Sequence, residues 1–231
     1  MAQPNRPSCL IIGASRGLGL GMVETYLARG WRVVATVRDP ATSKLNASAL
    51  AGDLEIEPLD IKSESQIAAL AQRLAGQSFD LLFVNAGIAP PPMQPVGETS
   101  TETFVDVMVT NALSPLRVIE ALEHLVPPSG VIGVMSSEIG SVANNETGTW
   151  EVYRASKAAL NMLMRSYAAR RRGDPRAMIL MAPGWVKTDM GGANARFTIE
   201  ENMPKVVDVL NAQSGKPGVR FLNFAGETVP W

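Results

Sequence analysis

Short apolar runs alternate with stretches of helical periodicity along almost the whole chain, and this alternation limits the fold more than any other feature. The runs fall at residues 8–12, 31–37, 54–59, 79–85, 131–135, 177–182 and 219–224. Between them, residues 18–29 (Leu18, Met22, Tyr26, Leu27), 63–75 (Ile67, Leu70, Ala71, Leu74), 101–125 and 151–172 place apolar residues three and four apart. Runs that are apolar at nearly every position suit strands buried on both faces. Strands separated by helices of about ten or more residues join through right-handed crossovers into a parallel sheet. The expected architecture is α/β: a doubly wound, mostly parallel sheet of seven strands with helices on both faces.

The length of 231 residues suits one domain with a single layered core over 1–231. With 46% apolar and 19% charged residues the chain is not intrinsically disordered. Lys plus Arg total 21 against 22 Asp plus Glu, so there is no basic footprint for nucleic acid. One cysteine, Cys9, excludes an internal disulfide framework and a thiolate zinc cluster, and one histidine, His124, excludes a His-rich metal site. A Ser-His-Asp hydrolase would need His124 as its base, and no catalytic motif surrounds that residue. No apolar run is long enough to span a bilayer, and residues 1–7 hold two prolines and no apolar stretch, unlike a secretory leader. The expected compartment is the cytoplasm. The weakly periodic stretch 191–204 reads as a mobile flap over a site, at about 189–205.

The first run leads into Gly13-Ala14-Ser15-Arg16-Gly17-Leu18-Gly19 at the start of a helix. Glycines here let backbone N–H groups approach a pyrophosphate, and the helix N-terminus adds a positive dipole end. The spacing, GxxxGxG, is not the commoner GxGxxG, but its place between a strand and a helix points to phosphate binding. At the end of the second run, the place of an acid that would bind a ribose hydroxyl is taken by Val37, followed by Arg38. Arg38 and Arg16 suit a 2′-phosphate, which points to NADP(H) over NAD(H). Asp39, one position later, is the competing feature.

Tyr153 and Lys157 stand four apart on one helix and share a face. A nearby ammonium favours a phenolate, so the pair is expected to lower the tyrosine pKa from about 10 toward neutrality. Ser136, Ser137 and Ser141 follow the fifth run; Ser137, directly after the strand, is favoured to face a substrate carbonyl. Asn85-Ala86-Gly87 ends the fourth run and Pro183-Gly184 the sixth. All these motifs lie at carboxyl ends of strands, where open α/β sheets bind ligands.

Taken in order, the glycine loop, Asp60, Asn85-Ala86-Gly87, Asn111, Ser137, Tyr153-x-x-x-Lys157 and Pro183-Gly184 resemble the short-chain dehydrogenase/reductase family in its compact one-domain form. Residues 183–192 and the terminal Pro230-Trp231 look most like its C-factor and sniffer-type carbonyl reductase branch. The resemblance implies an oxidoreductase that moves hydride between a nicotinamide and a carbonyl/alcohol pair. It implies a catalytic set of Asn111, Ser137, Tyr153 and Lys157: Tyr153 as acid or base, Ser137 on the carbonyl, Asn111 in a water relay. Lys157 would also bind the nicotinamide ribose. Gly13, Ser15, Arg16, Gly17, Leu18, Gly19 and Arg38 would hold the phosphates. Asp60 and Ile61 would meet the adenine, Asn85, Ala86 and Gly87 would line the groove, and Pro183, Gly184, Val186 and Thr188 would hold the nicotinamide end.

Two features depart from the usual pattern: Ile12 precedes the first glycine, and Val84 precedes Asn85-Ala86-Gly87. Ser137 and Tyr153 are also sixteen apart, a wider interval than the family usually has, which places extra residues in the 144–150 loop. Ile139, Val142, Trp150, Trp185, Met190 and Phe197 would line the pocket and favour an apolar ketone, aldehyde or quinone. Long helices with apolar residues on more than one face suggest a homodimer or homotetramer. The rival reading is an NAD(P)-binding signalling protein of C-factor type with little turnover. A sugar-nucleotide epimerase would need a longer chain.

Overall fold

The computed structural model describes residues 6–43, 45, 52–91 and 93–231. The leader argument, which concerns residues 1–7, thus falls mainly outside the described residues. Among the described residues seven strands form one sheet: β1 (Ser8–Ile12), β2 (Arg32–Val37), β3 (Leu54–Pro58), β4 (Leu81–Val84), β5 (Val131–Met135), β6 (Ala177–Ala182) and β7 (Gly218–Asn223). Their order is β3-β2-β1-β4-β5-β6-β7, and every pairing is parallel. The chain winds outward from β1 in one direction and from β4 in the other. The crevice at the carboxyl ends of β1 and β4 is therefore the topological switch point where such sheets bind ligands.

Strand alternation divides the core in two. Leu10 and Ile12 of β1 face one side, where they join Leu70, Ile119, Leu160 and Tyr167. Cys9 and Ile11 face the other, with Met22, Val23, Tyr26, Met203, Val206 and Leu210. The first side is covered by α2 (Glu64–Arg73), α4 (Ser114–Leu122) and α5 (Glu151–Arg170), and the second by α1 (Gly17–Ala28) and α6 (Ile199–Asn211). Each fully buried Leu, Ile or Phe contributes about 1.5–3 kcal/mol, so both faces must be covered for the sheet to persist.

Two elements differ from expectation. The stretch 101–125 is not one helix: α3 (Thr101–Met108) passes into a π-helical turn at Val109–Leu113 and then into α4, with Pro115 in its first turn. The stretch 191–204 is not all flap either, because α6 begins at Ile199. Thr198 and Glu201 form a capping box, each side chain bonding the other's backbone N–H. Met203, Val206, Val207 and Leu210 then bury the helix against the sheet. Residues 185–197 also carry order: Val186 bridges Phe197, Lys187 N–H donates to Phe197 O at 2.8 Å, and the Trp185 indole donates to Gly191 O at 2.7 Å.

Candidate active site

The glycine loop is shaped by its neighbours. A Cβ on Gly13, whose φ is +86°, would lie 2.7 Å from the Ala86 Cβ. One on Gly19 would lie 2.2 Å from Gly13 O and 2.6 Å from the Asn85 amide nitrogen. That amide donates to Gly13 O at 2.8 Å, and the Thr36 hydroxyl accepts from Gly13 N–H at 3.0 Å. At Gly13 and Gly19 the loop thus packs against the ends of β4 and β2 with no room for a side chain.

The side chains of Ser63, Ser100 and Thr198 cap α2, α3 and α6, whereas α1 has no side-chain cap and no acid in its first turn. Its first N–H groups therefore keep their donor capacity. Glycine cradle and uncapped helix together fit the pyrophosphate of a dinucleotide.

Around this crevice, Asp60 folds onto its own turn, with Oδ1 accepting from Lys62 N–H at 2.9 Å, and Ile61 is buried. Arg38 is exposed at the end of β2. The Asp39 carboxylate accepts from Ala41 N–H at 2.9 Å and caps the following turn. Arg16 forms an exposed ion pair with Asp189, which ties the glycine loop to the segment after β6. Thr188 stands across from Gly17, and its hydroxyl accepts from Gly191 N–H. Pro183 O accepts from the buried Asn202 amide at 2.5 Å, so α6 anchors the segment that follows β6.

The tyrosine and lysine lie in the first two turns of α5. Lys157 is buried, its ammonium donates to Met135 O at 2.8 Å, and it lies 5.5 Å from the centre of the Tyr153 ring. The expected lowering of the Tyr153 pKa does not follow from the protein's own charges. Tyr153 is half-buried, yet packing around it pushes its pKa up, and burial pulls Lys157 down to about 8. Desolvation penalises both charged forms and outweighs their mutual attraction. Tyr153 is therefore protonated at neutral pH.

Asn111 sits in the π-helical turn, an irregularity common at functional sites. Its amide donates to Ile88 O at 2.7 Å and to the Ser156 hydroxyl at 2.9 Å, while Oδ1 accepts from Ile88 N–H at 2.8 Å. Ser156 in turn donates to Tyr153 O. A Cβ on Gly87 would lie 3.3 Å from Asn111 Oδ1 and 3.5 Å from Lys157 Nζ, so Gly87 backs both groups.

Of the three serines, the buried Ser136 donates to Asn161, and the buried Ser141 hydroxyl accepts from Asn144 N–H. Ser137 is half-buried, and no internal hydrogen bond engages its hydroxyl among the described residues. Sequence reading missed Ser156, Asn161 and Asn202, which are ordinary helix polar residues until the fold brings them under the site. The apolar residues named for the pocket divide: Val142, Trp185 and Met190 are solvent-exposed, Ile139 is half-buried, Phe197 packs edge-on against Phe224, and Trp150 packs edge-on against Tyr153.

The family model for short chain dehydrogenases matches residues 8–197. The chain belongs to the short-chain dehydrogenase family. It is an NAD(P)-dependent oxidoreductase on a Rossmann sheet. A short-chain dehydrogenase/reductase from Burkholderia multivorans, solved with bound NADP, is 54% identical, with a TM-score of 0.94 over 98% of this chain and all of that one. A carbonyl reductase from Pseudomonas aeruginosa PAO1 in complex with NADP is 35% identical, with a TM-score of 0.90 over 98% of this chain and 100% of its own. The C-signal protein of Myxococcus xanthus is 32% identical over 165 residues, which are 71% of this chain and 99% of its own. The expected C-factor and carbonyl reductase branch is thus represented among its relatives. Among the described residues no helix is long and apolar enough to cross a membrane.

Proposed function

We propose that this short-chain dehydrogenase reduces apolar ketones, aldehydes or quinones with NADPH as the preferred cofactor. The observation that carries the reading is the Tyr153–Lys157 pair beside Gly87 and Asn111, at the switch point where the uncapped α1 meets the glycine cradle. When bound, the reduced nicotinamide supplies a hydride to the carbonyl carbon. Gly13, Ser15, Gly17, Leu18 and Gly19 would hold its pyrophosphate and Asp60 and Ile61 its adenine, Asn85, Ala86 and Gly87 would line its path, and Pro183, Gly184, Val186 and Thr188 would hold the far end. The NADP complexes of the Burkholderia and Pseudomonas relatives support a 2′-phosphate partner here, with exposed Arg38 and, once it leaves its surface ion pair with Asp189, Arg16 as the guanidinium groups. Asp39, engaged in its cap, is turned to a structural task.

Tyr153 enters the reaction with its proton in place, as reduction requires. Its hydroxyl donates to the carbonyl oxygen as negative charge develops there, and Ser137 donates a second hydrogen bond to the same atom. The Lys157 ammonium, fixed by Met135 O, stabilises the phenolate forming on Tyr153, an electrostatic contribution concentrated in the transition state. Asn111 retains one lone pair on Oδ1, enough for a water that bridges to Lys157 and returns a proton from solvent.

Replacing Tyr153 with Phe tests the assignment. Turnover falls by roughly 10²–10⁴-fold while NADPH binding stays near wild type, since only the hydroxyl carries the proton. Activity within about threefold of wild type, far inside that range, would sink the assignment. The C-signal relative keeps a second reading in view: tight NADPH binding without turnover across a carbonyl panel would favour a signalling role.

Phe104, Val105, Leu113, Met162 and Leu163 leave an apolar surface on α3–α5 opposite their buried faces, and a homodimer or homotetramer would cover it. A cytoplasmic setting belongs to the same proposal, because the reaction needs a diffusible dinucleotide.

A further inference from the structure

Among the described residues Trp150 is the one non-glycine residue with positive φ, at +61°. It precedes the first turn of α5 in a left-handed conformation. A bulky side chain persists there only when its surroundings over-determine it, and such residues gather at functional sites.

The surroundings are specific. Arg154, next to Tyr153, is half-buried, and its guanidinium makes three hydrogen bonds: to Thr149 O at 2.6 Å, to the Thr147 hydroxyl at 2.7 Å and to Ile139 O at 3.3 Å. Its backbone N–H donates to Trp150 O at 2.8 Å. One side chain therefore ties together the 144–150 loop, the turn that starts at Ser137 and the helix that carries Tyr153. The Trp150 indole, half-exposed, meets the Tyr153 ring edge-on at 5.8 Å between centres. The ring lies within aromatic contact range of the side chain whose hydroxyl donates to the carbonyl in the proposed reaction.

We infer that Trp150 is the specificity-determining residue that selects aromatic carbonyl substrates, and that Arg154 is the positioning residue that holds it over Tyr153. The inference rests on the reductase reading and narrows its substrate class from apolar to aromatic.

The test compares an aryl alkyl ketone with a small dialkyl ketone, using NADPH and the full chain. Trp150→Ala lowers the aryl-to-alkyl ratio of kcat/KM by roughly two- to tenfold, the range an aromatic pair supplies, with the loss in KM. Trp150→Gly lowers it equally, and glycine takes the left-handed conformation without the strain that alanine would carry there. That variant keeps the test decisive where the alanine form folds poorly. Arg154→Gln lowers the ratio with Trp150 still present, and Arg154→Lys recovers part of it. NADPH affinity, read by its fluorescence, does not follow the ratio in any of the four. An unchanged ratio in Trp150→Gly overturns the specificity role, and an unchanged ratio in Arg154→Gln overturns the positioning role. Wild-type protein that binds NADPH but turns over neither ketone overturns the reductase reading and this proposal with it.

Discussion

Replacing Lys157 with Met separates the cost of burying an ammonium from its catalytic use. Burial lowers this lysine from an ordinary 10.5 to about 8, a difference worth about 3 kcal/mol against the charged form. The variant removes that penalty, but it also removes the hydrogen bond to Met135 O, about 1–3 kcal/mol for a buried group left unpaired. Near pH 7 the two terms nearly cancel, so the melting point alone is a poor discriminator. The pH dependence decides.

Between pH 8 and 10.5 the unfolded chain holds the lysine proton and the folded chain does not. Unfolding therefore takes up a proton, and wild-type stability rises with pH across that window. The variant has no such group, so its stability relative to wild type falls by up to about 3 kcal/mol from below pH 8 to above 10.5. Paired urea titrations at pH 7, 8, 9, 10 and 10.5 measure this difference, and the other titrating groups cancel. A difference that stays flat across the range would refute the argument and mean that Lys157 is not buried as a cation. Turnover is lost in the variant at every pH.

Changing Arg38 to Leu shifts the ratio of kcat/KM for NADPH over NADH roughly tenfold toward NADH, the low end for an exposed charged hydrogen bond, and adding Val37→Asp moves it further; an unmoved ratio refutes the phosphate assignment. Alanine at Gly19 forces a Cβ to 2.2 Å from Gly13 O, so calorimetry finds NADPH affinity lower by roughly tenfold or more, and an unchanged Kd dismisses the cradle. Light scattering finds wild type as a dimer or tetramer and Leu113→Lys as a smaller species; a wild-type monomer at micromolar concentration defeats the oligomer.

Some of the site was legible because its signals are local. The glycine loop announces itself by composition, and a tyrosine and lysine four apart share a helical face in any fold. The capping pair Thr198 and Glu201 was equally available as a helix start, but the glycines and asparagine of 191–194 and Pro204 obscured it. The helical pattern of 101–125 gave no hint of the π-helical turn, since the apolar spacing on either side continues almost unchanged.

By itself the sequence determined the alternation of strands and helices, the burial of strands on both faces and the gathering of reactive residues at one end of the sheet. Those follow from periodicity and from groups a few residues apart. Tertiary structure alone decided which of three serines keeps an unengaged hydroxyl, because that depends on where Asn161 of a later helix lies. It decided that packing pushes the Tyr153 pKa up rather than down, because desolvation depends on everything packed around the pair rather than on their spacing. It also decided that Arg154, in sequence an ordinary helix arginine, reaches back to Ile139 and Thr147 and keeps Trp150 in a conformation that its own backbone preferences oppose.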